Sequence, residues 1–128
     1  IALLGTNTNL GELDNVHSRN NGRYGFYLYG ADANVTKFIG ADGSANLEGF
    51  RIGSKFNVFE GAHADGNSVA GLRFLASGDD NEGSAYIEGA PGNEVIHDVG
   101  SSRNLINYLS GNGSGFVLTY NEPNSKNA

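Results

Sequence analysis

Apolar residues along this chain fall in short alternating runs. "YGFYLYG", "EGFRIG", "AGLRF" and "EVIHDVG" each place an apolar or aromatic side chain at roughly every second position over four to six residues. That is the pattern of a strand with one buried face. The runs end in corners rich in Gly, Asn, Asp and Ser, residues that favour tight turns or tolerate positive φ. No segment carries a 3.6-residue apolar period, so no helix is predicted. No apolar run approaches the length of a membrane-spanning helix.

The corners recur. Asn34, Asn57, Asn81 and Asn104 are separated by 23, 24 and 23 residues, and Asn21, Asn46, Asn67 and Asn93 fall between them. Each asparagine precedes a short apolar alternation. A period of this size marks a solenoid, in which one turn cannot bury its own apolar side and the next turn covers it. Two or three short strands per turn predict an all-β, single-stranded parallel β-helix of about five turns. The asparagines are expected to stack, one per turn in each set, in the left-handed conformation, with side-chain amides bonded up and down the column.

Alternation also sorts inside from outside. Phe26 and Leu28, Phe50 and Ile52, Leu72 and Phe74, and Phe116 and Leu118 are expected to form inward stacks. His97 and Val99 take the same places in the remaining turn, which makes His97 a core histidine. Tyr27, Arg51, Arg73, Asp98 and Val117 should point outward. The chain divides into an entry segment at 1–14, the β-helix at 15–120 and a polar tail at 121–128.

Composition narrows the classes. Among 128 residues there are 20 glycines, 17 asparagines and no cysteine, so neither a disulfide framework nor a thiolate metal site is available. A net charge of −6, with eight scattered Lys and Arg, argues against a nucleic-acid partner. The chain starts at isoleucine, which suggests a piece of a longer protein.

The stretches "NVHSRNNGRYGFYLYGADANVTKFIG", "NLEGFRIG", "NVFEGAHADGN", "AGLRF" and "NEVIHDVGSSRNLI" resemble the right-handed parallel β-helix of bacteriophage tailspikes and tail fibres, within the wider pectate-lyase-like superfamily. The resemblance covers about Asn15 to Leu109. It implies a homotrimeric virion or extracellular protein that attaches to bacterial surface polysaccharide, with no cofactor. It also implies two alternatives: a polysaccharide depolymerase, hydrolase or lyase, and a bacterial adhesin or secreted β-helix protein.

Three clusters could carry chemistry. Glu60, His63 and Asp65 form an acid–base set if a corner brings the two carboxylates together, since glycoside hydrolysis needs a carboxylate pair. The competing reading is turn chemistry, because Asp42 and Asp65 both lie eight residues after an asparagine and precede glycine. Glu12 and Asp14, two apart on a strand with His17 nearby, would share one face about 6.5–7 Å apart. Tyr27, Arg51, Arg73 and Asp98 would stack on one outward face. There the adjacent arginines call for a compensating carboxylate, either Asp98, Glu48 or an acidic ligand. The acidic loop at Asp79, Asp80 and Glu82 lacks the spacing of known calcium loops, and no metal site is predicted.

Overall fold

A computed structural model describes residues 1–4, 11–30, 34, 36–88, 94–109 and 117–122. The described chain is all β. Its strands are β1 (Ala2–Leu4), β2 (Glu12–Asp14), β3 (Tyr24–Tyr29), β4 (Lys37–Ile39), β5 (Glu48–Gly53), β6 (Val58–Ala64), β7 (Ala70–Phe74), β8 (Glu82–Ile87), β9 (Val95–His97), β10 (Asn104–Leu109) and β11 (Val117–Glu122). Odd strands β1-β3-β5-β7-β9 build sheet A, and β2-β4-β6-β8-β10 build sheet B, with β11 added at its end. Every pairing is parallel except β10 with β11. The five strands of sheet A therefore span about four turns of a parallel β-solenoid, not five. The sheets already take in Ala2–Leu4 and Glu12–Asp14, ahead of residue 15.

The core lies between the sheets. Sheet A contributes Phe26↔Phe50↔Leu72↔Val95 and Leu28↔Ile52↔Phe74↔His97. Phe26 stacks on Phe50 at 4.9 Å, Phe38 of sheet B stacks on Phe59 at 5.0 Å, and the two stacks meet edge to face. Aromatic rings thus stack along the axis and cross at right angles between sheets, the two favoured ring geometries.

The last turn departs from the sequence reading. His97 is fully buried, with Nδ1 3.0 Å from Ser101 Oγ, as a core residue should be. The other inward residue of its strand is Val95, not Val99, which is 75% exposed. The register is two residues earlier because the chain turns at Val99–Gly100, so β9 ends at His97. Ile96 then takes the outward place opposite Arg73 that was expected of Asp98. Leu118 does not extend the Leu28 column, since β11 pairs antiparallel with β10 in sheet B. Phe116 and Asn93 lie outside the described residues.

Two asparagine columns frame the sheets. At the corner entering sheet B, Asn57 donates both N–H and Nδ2–H to Asn81 Oδ1 at 2.9 and 2.8 Å, and Asn81 does the same to Asn104 Oδ1 at 3.0 and 2.9 Å. At the corner entering sheet A, Asn21 N–H bonds Asn46 Oδ1 and Asn46 N–H bonds Asn67 Oδ1, while the Asn46 amide turns to the carbonyls of Ser18 and Ser44. Asn34 does not stand below Asn57. That place belongs to Thr36, whose N–H donates to Asn57 Oδ1, whereas Asn34 accepts from Lys55 N–H. This turn is 21 residues long at that corner, two shorter than the expected repeat.

The left-handed conformation is also displaced by one position. The residue before each ladder asparagine holds it: Asn20, Ala45, Phe56, Asp80 and Arg103 at φ 54–57°, and Gly66 at 62°. The left-handed residue turns the chain, and the N–H groups of Asn21, Asn46, Asn57 and Asn81 then donate to the Oδ1 of the next asparagine in the column.

Candidate functional site

Outward positions of sheet B form three rows along the solenoid. The first is Glu12–Lys37–Val58–Glu82–Leu105, the second Asp14–Ile39–Glu60–Ser84–Asn107, and the third His17–Asp42–His63–Tyr86–Leu109. Where the first two rows cross β6, β8 and β10, the surface sinks into an open depression of about 360 Å³. Glu60, Glu82, Ser84, Leu105 and Asn107 line it, and Phe59 and Gly83 lie at its floor. Two backbone features shape it. Glu60 and Gly61 together oppose the single residue Ser84, a bulge whose glycine sits at φ 61°. Bulges of this kind re-aim side chains and commonly lie beside functional sites. Gly83 sits at φ 141°, packed so closely on the Phe59 backbone that no side chain fits.

Two of the sequence candidates meet on this face. Glu12, Asp14, Glu60 and His63 all project from it. Glu60 is half-exposed and its Oε1 is 3.1 Å from Lys37 Nζ. Asp65 is not brought to Glu60. No corner separates them, since β6 runs through to Ala64 and places Asp65 about 15 Å along the same extended segment. Glu12 and Asp14 are exposed on edge strand β2, where Asp14 Oδ1 accepts from Asn15 Nδ2. His17 turns away from them toward Asp42.

That turn leads to a cluster absent from the sequence candidates. Asp42 is buried, with His17 Nδ1 3.4 Å from Oδ2 and His63 Nδ1 3.8 Å from Oδ1. Ser44 Oγ and the Arg19 guanidinium donate to it. Burial pushes the Asp42 carboxyl up, but the Arg19 and Ser44 hydrogen bonds and the Arg19 charge outweigh it and hold it at about 2, below the ordinary 3.8. His63 stacks on Tyr86 at 5.0 Å, and Tyr86 Oη donates to Glu88 Oε1 at 2.6 Å, which raises the phenol above its usual range. Asp42 bridges His63 in register, so Asp42-Gly43 and Asp65-Gly66 do not share one corner position. The left-handed counterpart of Gly66 is Ala45. A spacing of six residues, from Thr36 to Asp42 and from Asn57 to His63, is the sequence signal for this alignment, and counting from Asn34 hides it.

No family model, curated protein or solved structure matches this chain.

The outer face of sheet A has a different character. Tyr27, Arg51 and Arg73 stack in direct register. Glu48, 4% exposed, lies between the two guanidiniums and accepts from Arg51 Nη1 at 3.0 and 2.8 Å and from Arg73 Nη1 at 3.0 Å. Asp98, just past β9, reaches Arg73 Nε at 3.0 Å. Burial works against both arginine charges, and these carboxylates outweigh it, so both groups hold their protons more tightly than usual. Arg51 also covers the Tyr24 and Tyr27 rings at 4.9 and 5.6 Å. The acidic loop is engaged too. Asp79 accepts from Ser102 and pairs with Lys55, and Asp80 pairs with Arg103. Among the described residues no cluster of three or more His, Asp or Glu has the geometry to hold a metal ion.

Proposed function

We propose that this solenoid is the polysaccharide-binding element of a bacteriophage tailspike or tail fibre, acting as part of a homotrimer at the bacterial surface. The observation that carries the binding half is the depression on sheet B. It is open, and carboxylates, a hydroxyl and an amide from three adjacent strands line it beside Leu105 and Val58. Sugar hydroxyls need acceptors and donors at short spacing, and the C–H faces of sugar rings need apolar contact. The resemblance in the corner and strand motifs supports the virion setting and the trimer. Ser84→Trp, which fills the depression from an exposed position, is expected to weaken binding of the recognised surface polysaccharide by at least about tenfold, or about 1.4 kcal/mol. Melting should stay nearly unchanged. Full binding by this variant refutes the proposed groove, and sedimentation of the chain as anything but a trimer refutes the assembly.

Depolymerisation is the second reading, and one observation favours it. Glu82 pairs with Val58 and Glu60 lies two residues further along β6, so two carboxylates line the one depression, as glycoside hydrolysis requires. A hydrolase also needs one carboxyl shielded from water so that it keeps its proton. Glu60 and Glu82 are both exposed, and Glu60 is paired to Lys37, so attachment without turnover fits the geometry better. New reducing ends on incubation with the bound polysaccharide would reverse this order.

A further inference from the structure

We infer that the sheet B groove takes a glycan carrying no acidic group, an inference that rests on the polysaccharide reading above. Charges in the first two rows are mostly of one sign, four carboxylates against one ammonium. Glu60 and Glu82 stand in the groove, and Glu12 and Asp14 project from the same face two strands away from Glu60. Lys37 is the cation in these rows, and its ammonium is already 3.1 Å from Glu60. Arg19, beyond the third row, is closed on Asp42.

An acidic sugar would bring its carboxylate or sulfate against like charges at close range, where salt screens least. It would meet no guanidinium fork to receive it. A sugar hydroxyl meets the opposite situation. Carboxylates accept O–H bonds strongly, and Ser84 and Asn107 add further hydrogen-bonding groups in the second row. The two arginines that would suit an acidic ligand lie on the other sheet and are already held by Glu48 and Asp98. The fold therefore separates its arginine forks from its groove.

The test uses isolated bacterial O-polysaccharides and capsules, sorted by whether the repeat unit carries an acidic group, with binding measured at low and physiological salt. Binding is expected within the uncharged set. The Glu60→Gln, Glu82→Gln variant should weaken that binding about tenfold, because an amide is a poorer acceptor than a carboxylate. The same variant should strengthen any residual binding of acidic polysaccharides, most visibly at low salt. Tighter binding of an acidic polysaccharide than of every uncharged one overturns this inference and leaves the polysaccharide reading standing. Unchanged binding of an uncharged polysaccharide by the double variant also overturns it. Failure of both sets to bind overturns the polysaccharide reading and this inference together.

Discussion

The two outer faces of the solenoid are built on the same rungs and differ in how their charges are engaged. On sheet A, Arg51 and Arg73 sit side by side, an arrangement that should repel, and Glu48 is buried between them to take both. The network closes with Asp98 and with the Tyr24 and Tyr27 rings, and little is left to offer a ligand. On sheet B the carboxylates project into water around a depression shaped by a bulge and by Gly83. Residue types alone point to the first face as the binding site, since it holds arginine and tyrosine. Exposure points to the second. A charged side chain becomes a candidate for binding when the fold leaves it in water, as it does Glu82 and the Lys37-paired Glu60, and not when a buried network closes on it.

The sharpest way to break this comparison is to remove Glu48. Glu48→Ala leaves two guanidiniums facing each other without the buried carboxylate, and should destabilise the fold by about 3 kcal/mol, as loss of one partner of a buried ion pair does. Glu60→Ala on the other face removes only an exposed partner of Lys37 and should cost about 0.5 kcal/mol or less. Urea unfolding of the two variants measures the difference. Equal losses would mean that the sheet A network is no more structural than the groove.

Asp42 lies where the third row of sheet B is anchored, and it couples that row to pH. Its carboxyl is held at about 2 in the fold against 3.8 ordinarily. Its contribution is therefore fully present above 3.8, declines as pH falls below that value, and is lost below about 2. With the half-exposed Arg19 discounted for screening, it amounts to about 1.5 kcal/mol. Asp42→Asn should melt below the parent chain near neutrality, and the gap should close as pH is lowered to about 2. A constant gap across that window would detach Asp42 from the acid response.

Much of the architecture was legible in the sequence because a solenoid repeats its physics. The Phe26–Phe50–Leu72 and Leu28–Ile52–Phe74 columns, the outward stack of Tyr27, Arg51 and Arg73, and the Asn57–Asn81–Asn104 ladder follow from period-two alternation and a spacing near 23 residues. The misses come from departures of one or two residues within that spacing. The Val99–Gly100 turn shifted the last rung, and a 21-residue turn put Thr36, not Asn34, under Asn57. A shift of two preserves alternation, so within the strands inward and outward assignments survive it while the neighbours change, and Val99 drops out of the strand into an exposed turn. That is why Asp42 was matched to Asp65 and its contact with His63 was hidden. The groove itself was not legible, because it depends on a bulge at Glu60–Gly61 that no alternation pattern displays.

Thr36 offers the finest test of the comparison, because it alters the frame of sheet B and leaves its face intact. The asparagine column that enters sheet B runs through Asn104, Asn81 and Asn57 and then stops at Thr36, whose buried Oγ1 has no hydrogen-bond partner among the described residues. Its N–H already donates to Asn57 Oδ1 at 2.9 Å, as Asn57 N–H does to Asn81. An asparagine at 36 would place a side-chain amide where its Nδ2–H can join that acceptor, and would remove the unsatisfied hydroxyl. Thr36→Asn should stabilise the fold by about 1 kcal/mol, the net worth of one added hydrogen bond. Lys37 follows directly and keeps its register with Val58, so the Lys37–Glu60 pair and the groove should be unaffected. A gain in unfolding free energy with unchanged polysaccharide binding would separate the scaffold of sheet B from its face. Loss of stability would mean that the Thr36 position cannot accept the ladder's geometry, and that the column ends where it does for steric reasons.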